Sequence, residues 1–567
     1  MKKVFVLLLL MLLLTSARLS AHDFEVDGIY YKINNDSVTV KVTYKGSYSS
    51  SSKVYSGHVV IPDEVCYNNK TYAVTDIGGE AFVDCAGLTG VEMPSTILSI
   101  GRNAFLRCES LSSISIPNSV TFIGTCAFGR CLSLTELFIP SSVSLIESQA
   151  FSWCHGLTRI VVDENNLYYD SRDNCNAIIK TSNNEMMTAC INTVIPNTVE
   201  RLARDVFNGF TWMTEVDLPD SLVYIGEYAF CNCTGLTSIN IPNTVTEIAS
   251  CAFSGCKGLT EIVIPSSVKT IRSNAFMGCI GLTSINIPAS VTTIDGNIIT
   301  YCSNVTSVTV DPANSIYDSR DNCNAIIETS TNKLIFGCNS STIPEGISWI
   351  YRSAFYCCDR MTQVELPSTL IRIDDFAFYG CSGLLELNIP QSVNGIGAEA
   401  FKNCTALKNV CFNEGLRYLD FDAFENCTGL TSIILPSSLN NMSDYCFYGC
   451  VNLRDVTCVG TTPPVMAMYK CFSPSIYSSA TLYVPEEAIE TYKVTNYWKY
   501  FTAIQSINKV IPGDINGDGE LSVTDAIDLI NQLLNNTEYP AYCDVNGDGE
   551  VNIADIIELI NVLLNTV

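Results

Sequence analysis

The chain sets short apolar clusters between polar turns on a fixed beat. Phenylalanines recur at 82, 105, 128 and 151, then at 207, 230, 253 and 276, and the register passes through Ile299 to 355, 378, 401, 424 and 447. Every step is 23 residues except two of 56, which makes fourteen coils with two matched insertions of 33. One coil, "LTSINIPNTVTEIASCAFSGCKG" from Leu236, shows the logic. Leu236, Ile239 and Ile241 predict a short strand that ends at Pro242, where a backbone donor is missing and the chain turns. Val245 and Ile248 give a second apolar stretch, and Ala252 and Phe253 pack the return. A single coil cannot bury its apolar face, so neighbours must stack into a continuous core. At ~4.8 Å per strand, fourteen coils predict a rod or arc about 65 Å long before the insertions. The register excludes a packed α/β enzyme and predicts a β-rich solenoid.

The insertions start near Val161 and Thr309, and "YDSRDNCNAII" occurs in both, at Tyr169 and at Tyr317. Two apolar runs around a Ser/Thr/Asn turn, as in "NAIIETSTNKLIFGC", predict a β-hairpin projecting from the solenoid. It is either a binding loop or a structural hairpin copied with its block of repeats. Along the opening strands, Glu92, Ser115, Asp217, Asn240, Asn286, Glu365 and Asn388 should face outward as one polar ribbon.

After Ile511 the rhythm changes. "DINGDGELSVTD" and "DVNGDGEVNIAD" each fit a twelve-residue calcium loop, which needs oxygen donors at positions 1, 3, 5, 7, 9 and 12 and glycine at 6. The first offers Asp514, Asn516, Asp518, the Glu520 carbonyl, Ser522 and Asp525; the second offers Asp544, Asn546, Asp548, the Glu550 carbonyl, Asn552 and Asp555. Hard oxygens suit Ca²⁺, and two loops imply two ions. Position 12 is Asp rather than Glu, and Pro512 and Pro540 stand where an entering helix would run. Only exiting helices remain, from Val523 and Ile553, with Ile527, Ile530 and Leu534 on one face of the first and Ile557, Ile560 and Leu564 on its counterpart.

Two resemblances follow from these residues. "IPNSVTFIGTCAFGRCLSLTEL" from Ile116 resembles the BspA-like leucine-rich repeats of bacterial surface proteins, and the likeness covers roughly Ala73 to Leu453. "FEVDGIYYKI" and "ATLYVPEEAIETYKVTNYWKYF" resemble the terminal caps of that family. The duplicated half-hand of Gly513 to Leu564 resembles the dockerin family, of type I character. That resemblance implies two bound Ca²⁺ and docking into a cohesin module on a scaffold or cell surface. It also places partner choice at loop positions ten and eleven, here Val523, Thr524, Ile553 and Ala554, which are more apolar than the Ser/Thr pairs common in clostridial members. BspA-like relatives imply adhesion to matrix proteins, and dockerin proteins imply polysaccharide-degrading complexes.

Charge and composition narrow the partners. The formal charge is −26, and residues 511–567 hold eleven Asp and Glu with no Lys or Arg. Such acidity disfavours nucleic acid and anionic membranes. Lys2, Lys3, the apolar run Val4–Leu14 and the small residues near Ala21 read as a secretory signal peptide, and no later segment is apolar enough to span a bilayer. Thirteen of the 27 cysteines fall three residues after the repeating ring, a column best explained as small apolar filling. Cys175/Cys190 and Cys323/Cys338 instead bracket the hairpins, where each pair is either free or bridged. His22, His58 and His155 form no zinc motif, and no nucleophile elbow, phosphate loop or dinucleotide fingerprint occurs.

The expected plan is a signal peptide over 1–21, an N-terminal β cap over 22–72, leucine-rich repeats over 73–453 with hairpins near 161–193 and 309–341, a C-terminal cap over 454–507 and a small all-α dockerin over 511–567. The expected function is non-enzymatic: an exported, surface-associated binding protein. Its repeats would meet a host matrix protein, another cell or a polysaccharide. The alternatives are a carbohydrate-active component with an unrecognised carboxylate pair, and a structural spacer.

Overall fold

The computed structural model describes residues 21–46, 54–467, 470–507, 515, 521–535, 543–546 and 551–565. The chain divides into two compact units, Met1–Arg360 and Met361–Val567.

In the first unit the repeats wind as a β-solenoid. Its most continuous ladder runs through the second apolar stretch of each coil: Tyr224–Ile225, Glu247–Ile248, Thr270–Ile271 and Thr293–Ile294 pair in parallel. Equal coil lengths bring each residue opposite its equivalent, so the inward isoleucines stack on one another. The opening strands ladder in some coils, as in Glu136–Ile139 against Arg159–Val162. In the coil from Leu236 the expected strand is reduced to bonds at Thr237, whose N–H donates to Thr214 O at 3.1 Å and whose carbonyl accepts Thr260 N–H at 3.4 Å. Leu236, Ile239 and Ile241 are buried there all the same.

The phenylalanine corner carries the rest of the inter-coil bonding. Phe230 N–H donates to Ala252 O of the next coil at 2.8 Å, while Cys233 N–H closes a turn on Phe230 O at 3.2 Å. This geometry puts left-handed backbone on both sides of the ring, at Tyr228 (φ 56°) and Asn232 (φ 58°). Asparagine tolerates that region and glycine enters it freely, which explains why Gly255 and Gly278 replace Asn232 in later coils. Phe82, Phe105, Phe128 and Phe151 then stack face over face, with centroids 4.9, 5.0 and 5.3 Å apart.

The cysteine column does more than fill space. All thirteen are buried. Cys108, Cys256 and Cys279 donate their S–H across the coil boundary to the carbonyls of Phe82, Phe230 and Phe253, each at 3.1 Å. Each carbonyl already accepts a turn N–H, so the thiol takes its second lone pair, which the core would otherwise leave empty. Burial pushes the Cys233 and Cys302 thiols up to about 12, which keeps them protonated as donors. Cys175, Cys190, Cys323 and Cys338 are free thiols as well.

The stack is closed at its start by a small antiparallel sheet. Strands Phe24–Val26, Ile29–Ile33 and Thr39–Thr43 join the ladder through Lys70–Ile77. The Tyr55 ring covers Phe82 at 4.6 Å, and its hydroxyl donates to Thr43 O at 2.7 Å.

The two hairpins do not project. Ala177–Lys180 pairs antiparallel with Glu185–Ala189, whose first two residues pair in parallel with Arg201–Leu202; Ala325–Glu328, Lys333–Gly337 and Trp349–Ile350 repeat the arrangement. They are strands of the solenoid wall, and Ile178, Ile179, Ile326 and Ile327 are all 0 % exposed. A buried asparagine fixes each departure: Asn166 donates to Pro140 O and Val143 O at 2.8 and 3.0 Å, and Asn314 makes the same bonds to Pro288 O and Val291 O. Tyr169 and Tyr317 end the preceding ladder, their hydroxyls accepting Ile146 N–H at 2.8 Å and Ile294 N–H at 3.0 Å. Strands are thus added on the ladder side, while on the corner side the chain jumps 56 residues. That leaves a seam, which His155 crosses in the first copy by donating from Nε2 to Asn208 O at 3.0 Å.

In the second unit Phe378, Phe401, Phe424 and Phe447 stack at 5.1, 5.1 and 5.5 Å. Phe472 adds a further layer at 5.6 Å, although its step of 25 residues breaks the sequence register. Tyr477, Trp498 and Phe501 then meet Phe472 edge-on, and Trp498 Nε1 donates to Pro464 O at 2.8 Å, which closes the apolar end. The opening-strand sheet runs on through Asp455–Cys458, Thr481–Val484 and Ala503–Ser506.

Candidate calcium and docking site

Of the twelve expected calcium ligands, Ser522, Asp525, Asp544, Asn546, Asn552 and Asp555 lie among the described residues; Asp514, Asn516, Asp518, Glu520, Asp548 and Glu550 lie outside them. The two position-twelve aspartates do the same work in each loop. Asp525 accepts Ile515 N–H at 2.9 Å with one oxygen and Ser522 N–H at 2.8 Å with the other. Asp555 accepts Val545 N–H at 2.8 Å and Asn552 N–H at 2.8 Å. Each carboxylate therefore pins the loop's second residue to its ninth and draws the loop closed.

Both aspartates are 0 % exposed, and residues 511–567 hold eleven Asp and Glu with no Lys or Arg. A buried charge needs a partner charge. A divalent cation held by hard oxygens fits that requirement. Asp525, Asp555 and the other loop oxygens would hold it, and bound calcium would supply the positive charge that ties each loop to its helix. Among the described residues no three His, Cys, Asp or Glu side chains converge as a metal cluster.

The helices Val523–Asn535 and Ile553–Asn565 are apolar on two faces. One face makes the module's core, where Ala526, Leu529 and Leu559 are buried with Cys543 and Ile515. The other is bare: Val523, Ile527, Ile530 and Leu534 form an exposed stripe on the first helix, and Ile553, Ile557, Ile560 and Leu564 its copy on the second. The spacing i, i+4, i+7, i+11 keeps each stripe on one side. Of the four expected partner residues, Val523 and Ile553 head these stripes, 70 and 71 % exposed. Thr524 is exposed beside Val523, and Ala554 is half-buried. The six stripe residues below Val523 and Ile553 were visible to the sequence as an apolar face, without a sign that it points outward.

On the repeats, Glu92, Ser115, Asp217, Asn240, Asn286, Glu365 and Asn388 are all exposed. Apolar side chains interrupt that ribbon, with Phe138 and Val263 exposed among them. Among the described residues no helix is long and apolar enough to cross a membrane.

Parallel in-register coils, a stacked phenylalanine corner and strands added at capped ends define a leucine-rich-repeat solenoid. The BspA type leucine rich repeat region (6 copies) matches residues 75–185, 182–306 and 327–472, more than half of the chain, and the type I dockerin domain matches residues 512–564. The chain belongs to the BspA type leucine rich repeat family and carries a type I dockerin domain at its C-terminal end. No curated protein matches it. Solved structures similar to it include a leucine rich cell surface protein from Faecalibacterium prausnitzii, with 22 % identity, 87 % of this chain and 96 % of that chain covered and a TM-score of 0.36. Another is a leucine-rich repeat protein from Bacteroides ovatus, with 22 % identity, coverages of 86 and 100 % and a TM-score of 0.33. A third is the pneumococcal vaccine antigen PcpA, with 16 % identity, coverages of 86 and 98 % and a TM-score of 0.37.

Proposed function

We propose that this protein is an exported, non-catalytic binding solenoid held on a cell surface or extracellular complex by a calcium-dependent dockerin–cohesin contact. Residues 1–21 direct export, and two Ca²⁺ order the tail. The twin apolar stripes dock on the cohesin, and the repeats hold a host matrix protein, another cell or a polysaccharide. The observation that carries the docking role is the stripe itself. Two amphipathic helices expose their large aliphatic residues at positions that the module's own core leaves unused. Exposed apolar rows of that kind mark an interaction face.

The test is capture from the producing organism's envelope by the full chain, with Ca²⁺ or with a chelator. A cohesin-bearing protein recovered only with Ca²⁺ is expected; calcium-indifferent recovery with no such protein refutes the docking role. A second reading, a carbohydrate-active component of a polysaccharide-degrading complex, is favoured by one observation: Asp295 and Glu328 line the same cavity. Each lies against a cation, Asp295 on Arg272 at 3.0 Å and Glu328 on Lys333 at 3.5 Å. A general acid is instead kept in apolar surroundings, so binding is the better account of the pair.

A further inference from the structure

The second seam of the first unit, where the corner side jumps from Ile299 to Phe355, opens into a cavity of about 710 Å³. Its lining combines Tyr301, Tyr351 and Tyr356 with Asp295, Glu328 and Lys333. We propose that this cavity binds a neutral oligosaccharide, which gives the binding role of the repeats its ligand class and rests on that role.

Three observations carry the inference. The first is size: small-molecule sites occupy ~300–1,000 Å³. The second is the form of the lining. Tyr301 and Tyr356 meet edge to face at 5.3 Å with their hydroxyls 3.3 Å apart, and Tyr301 is nearly half exposed at the mouth. Lys333 lies over the rings of Trp349 and Tyr351 at 4.6 and 4.9 Å. Tyrosine offers an apolar face with a polar tip, the counterpart of a sugar ring with C–H faces and hydroxyl edges. Asp295 and Glu328 are engaged with Arg272 and Lys333, so these charges present directed donors and acceptors, and Arg352 adds a further donor to the lining. An apolar ligand would strand these groups, and an acidic glycan would meet a chain of formal charge −26.

The third is the contrast with the first seam, the same insertion 148 residues earlier. There the positions of Tyr301, Tyr351, Tyr356 and Asn297 hold Trp153, Ala203, Asn208 and Gln149. Gln149 reaches across to Asp205, as Asn297 reaches Ser353 O at 2.9 Å in the second seam, but in the first His155 also packs between Trp153 and Trp212. The insertion can therefore be closed with local side chains. Tyr301, Tyr351 and Tyr356 belong to the second copy alone.

The test uses the full chain with Ca²⁺ on an array of neutral and acidic oligosaccharides, followed by affinity electrophoresis in gels containing any neutral polysaccharide that scores. Retention by a neutral glycan is expected, with at least a tenfold loss in the Tyr351→Ala/Tyr356→Asn double variant and none in Phe138→Ser on the ribbon. Both replacements already stand in the first seam, so they are compatible with the fold. Hydrogen exchange on the unaltered chain gives a second readout: the glycan should slow exchange over residues 295–301 and 349–356. Retention only by acidic glycans, or retention that survives the double variant, overturns the inference. A chain that binds no glycan but is still captured by a cohesin with Ca²⁺ overturns it too, and leaves the attachment role intact. Binding with release of reducing ends upholds the cavity and overturns the non-catalytic role instead.

Discussion

Replacing Asp525 with alanine attacks the tail at one buried point. Its carboxylate accepts Ile515 N–H at 2.9 Å, Ser522 N–H at 2.8 Å and Ser522 Oγ–H at 3.0 Å. The alanine leaves two backbone donors without acceptors, at ~1–3 kcal/mol each, or about 2–6 kcal/mol together. A folded chain keeps only ~0.05–0.15 kcal/mol per residue, so a module of roughly fifty residues holds about 3–8 kcal/mol. The loss also removes a calcium ligand, and an ion present at a hundred times its Kd contributes ~2.7 kcal/mol. Together, at about 5–9 kcal/mol, these are comparable to what the module has. The assay is hydrogen exchange by mass spectrometry on the full chain, with Ca²⁺ and with a chelator, following residues 523–535 and 553–565 and using 247–271 as an internal reference. Asp525→Ala should speed exchange in the first helix by at least about thirtyfold, the equivalent of ~2 kcal/mol. The second helix should follow, because Leu529 and Leu559 share one core. Chelation of the parent should do the same to both helices and nothing to the reference. Unchanged exchange in the variant, or a parent indifferent to the chelator, would refute the argument that a buried carboxylate and its ion order this tail.

Because the two stripes are copies, the proposed docking lets either one engage the cohesin. Ile527→Asp/Ile530→Asp alone should then weaken cohesin capture only about twofold, ~0.4 kcal/mol. The same change on both helices, adding Ile557→Asp/Ile560→Asp, should abolish capture, while loss from either single-helix variant would show that one face acts alone. Thiol titration of the native chain should read Cys66 and Cys411 quickly, since these are the exposed cysteines, and all 27 only after unfolding. Rapid loss of more than a handful would contradict the protonated, donating column. Burial holds the His155 imidazole below its ordinary value, with Arg130 adding to the effect and the Asn208 carbonyl opposing it. The unfolded chain therefore takes up this proton first, near pH ~6.5. His155 favours the folded state fully above that pH and progressively less as pH falls toward its depressed value. Melting between pH 7.5 and 5.5 should fall less steeply in His155→Gln than in the parent; equal slopes would remove His155 as the cause.

The solenoid was legible because its signal is redundant: a ring at nearly every 23-residue step, a cysteine three residues on in thirteen of the fourteen coils and a proline after most opening strands. What the sequence hid is whatever depends on direction rather than type. Cys256 reads as a small apolar residue, and only its place over the Phe230 carbonyl shows it to be a donor. The hairpin pattern around Ile326 reads the same whether the strands project or join the wall. The tail helices are apolar on two faces, so the period alone cannot say whether Leu529 or Ile530 turns inward; the structure buries the first and exposes the second.

Duplication sharpens what remains. A feature kept in both copies, such as Asn166 and Asn314 or Asp525 and Asp555, is one the fold requires, since each pair makes matching bonds. A feature that differs between copies is free of that requirement. The stripes are kept apolar in both helices although the core does not use them, which implies an outside surface that both can meet. The seams share a backbone and differ in lining, one crossed by Gln149 and His155, the other crossed by Asn297 in the place of Gln149 and open beside Tyr301 and Tyr356. Since the closed seam shows that the fold tolerates filling, the open one is where this chain's own selectivity should be sought.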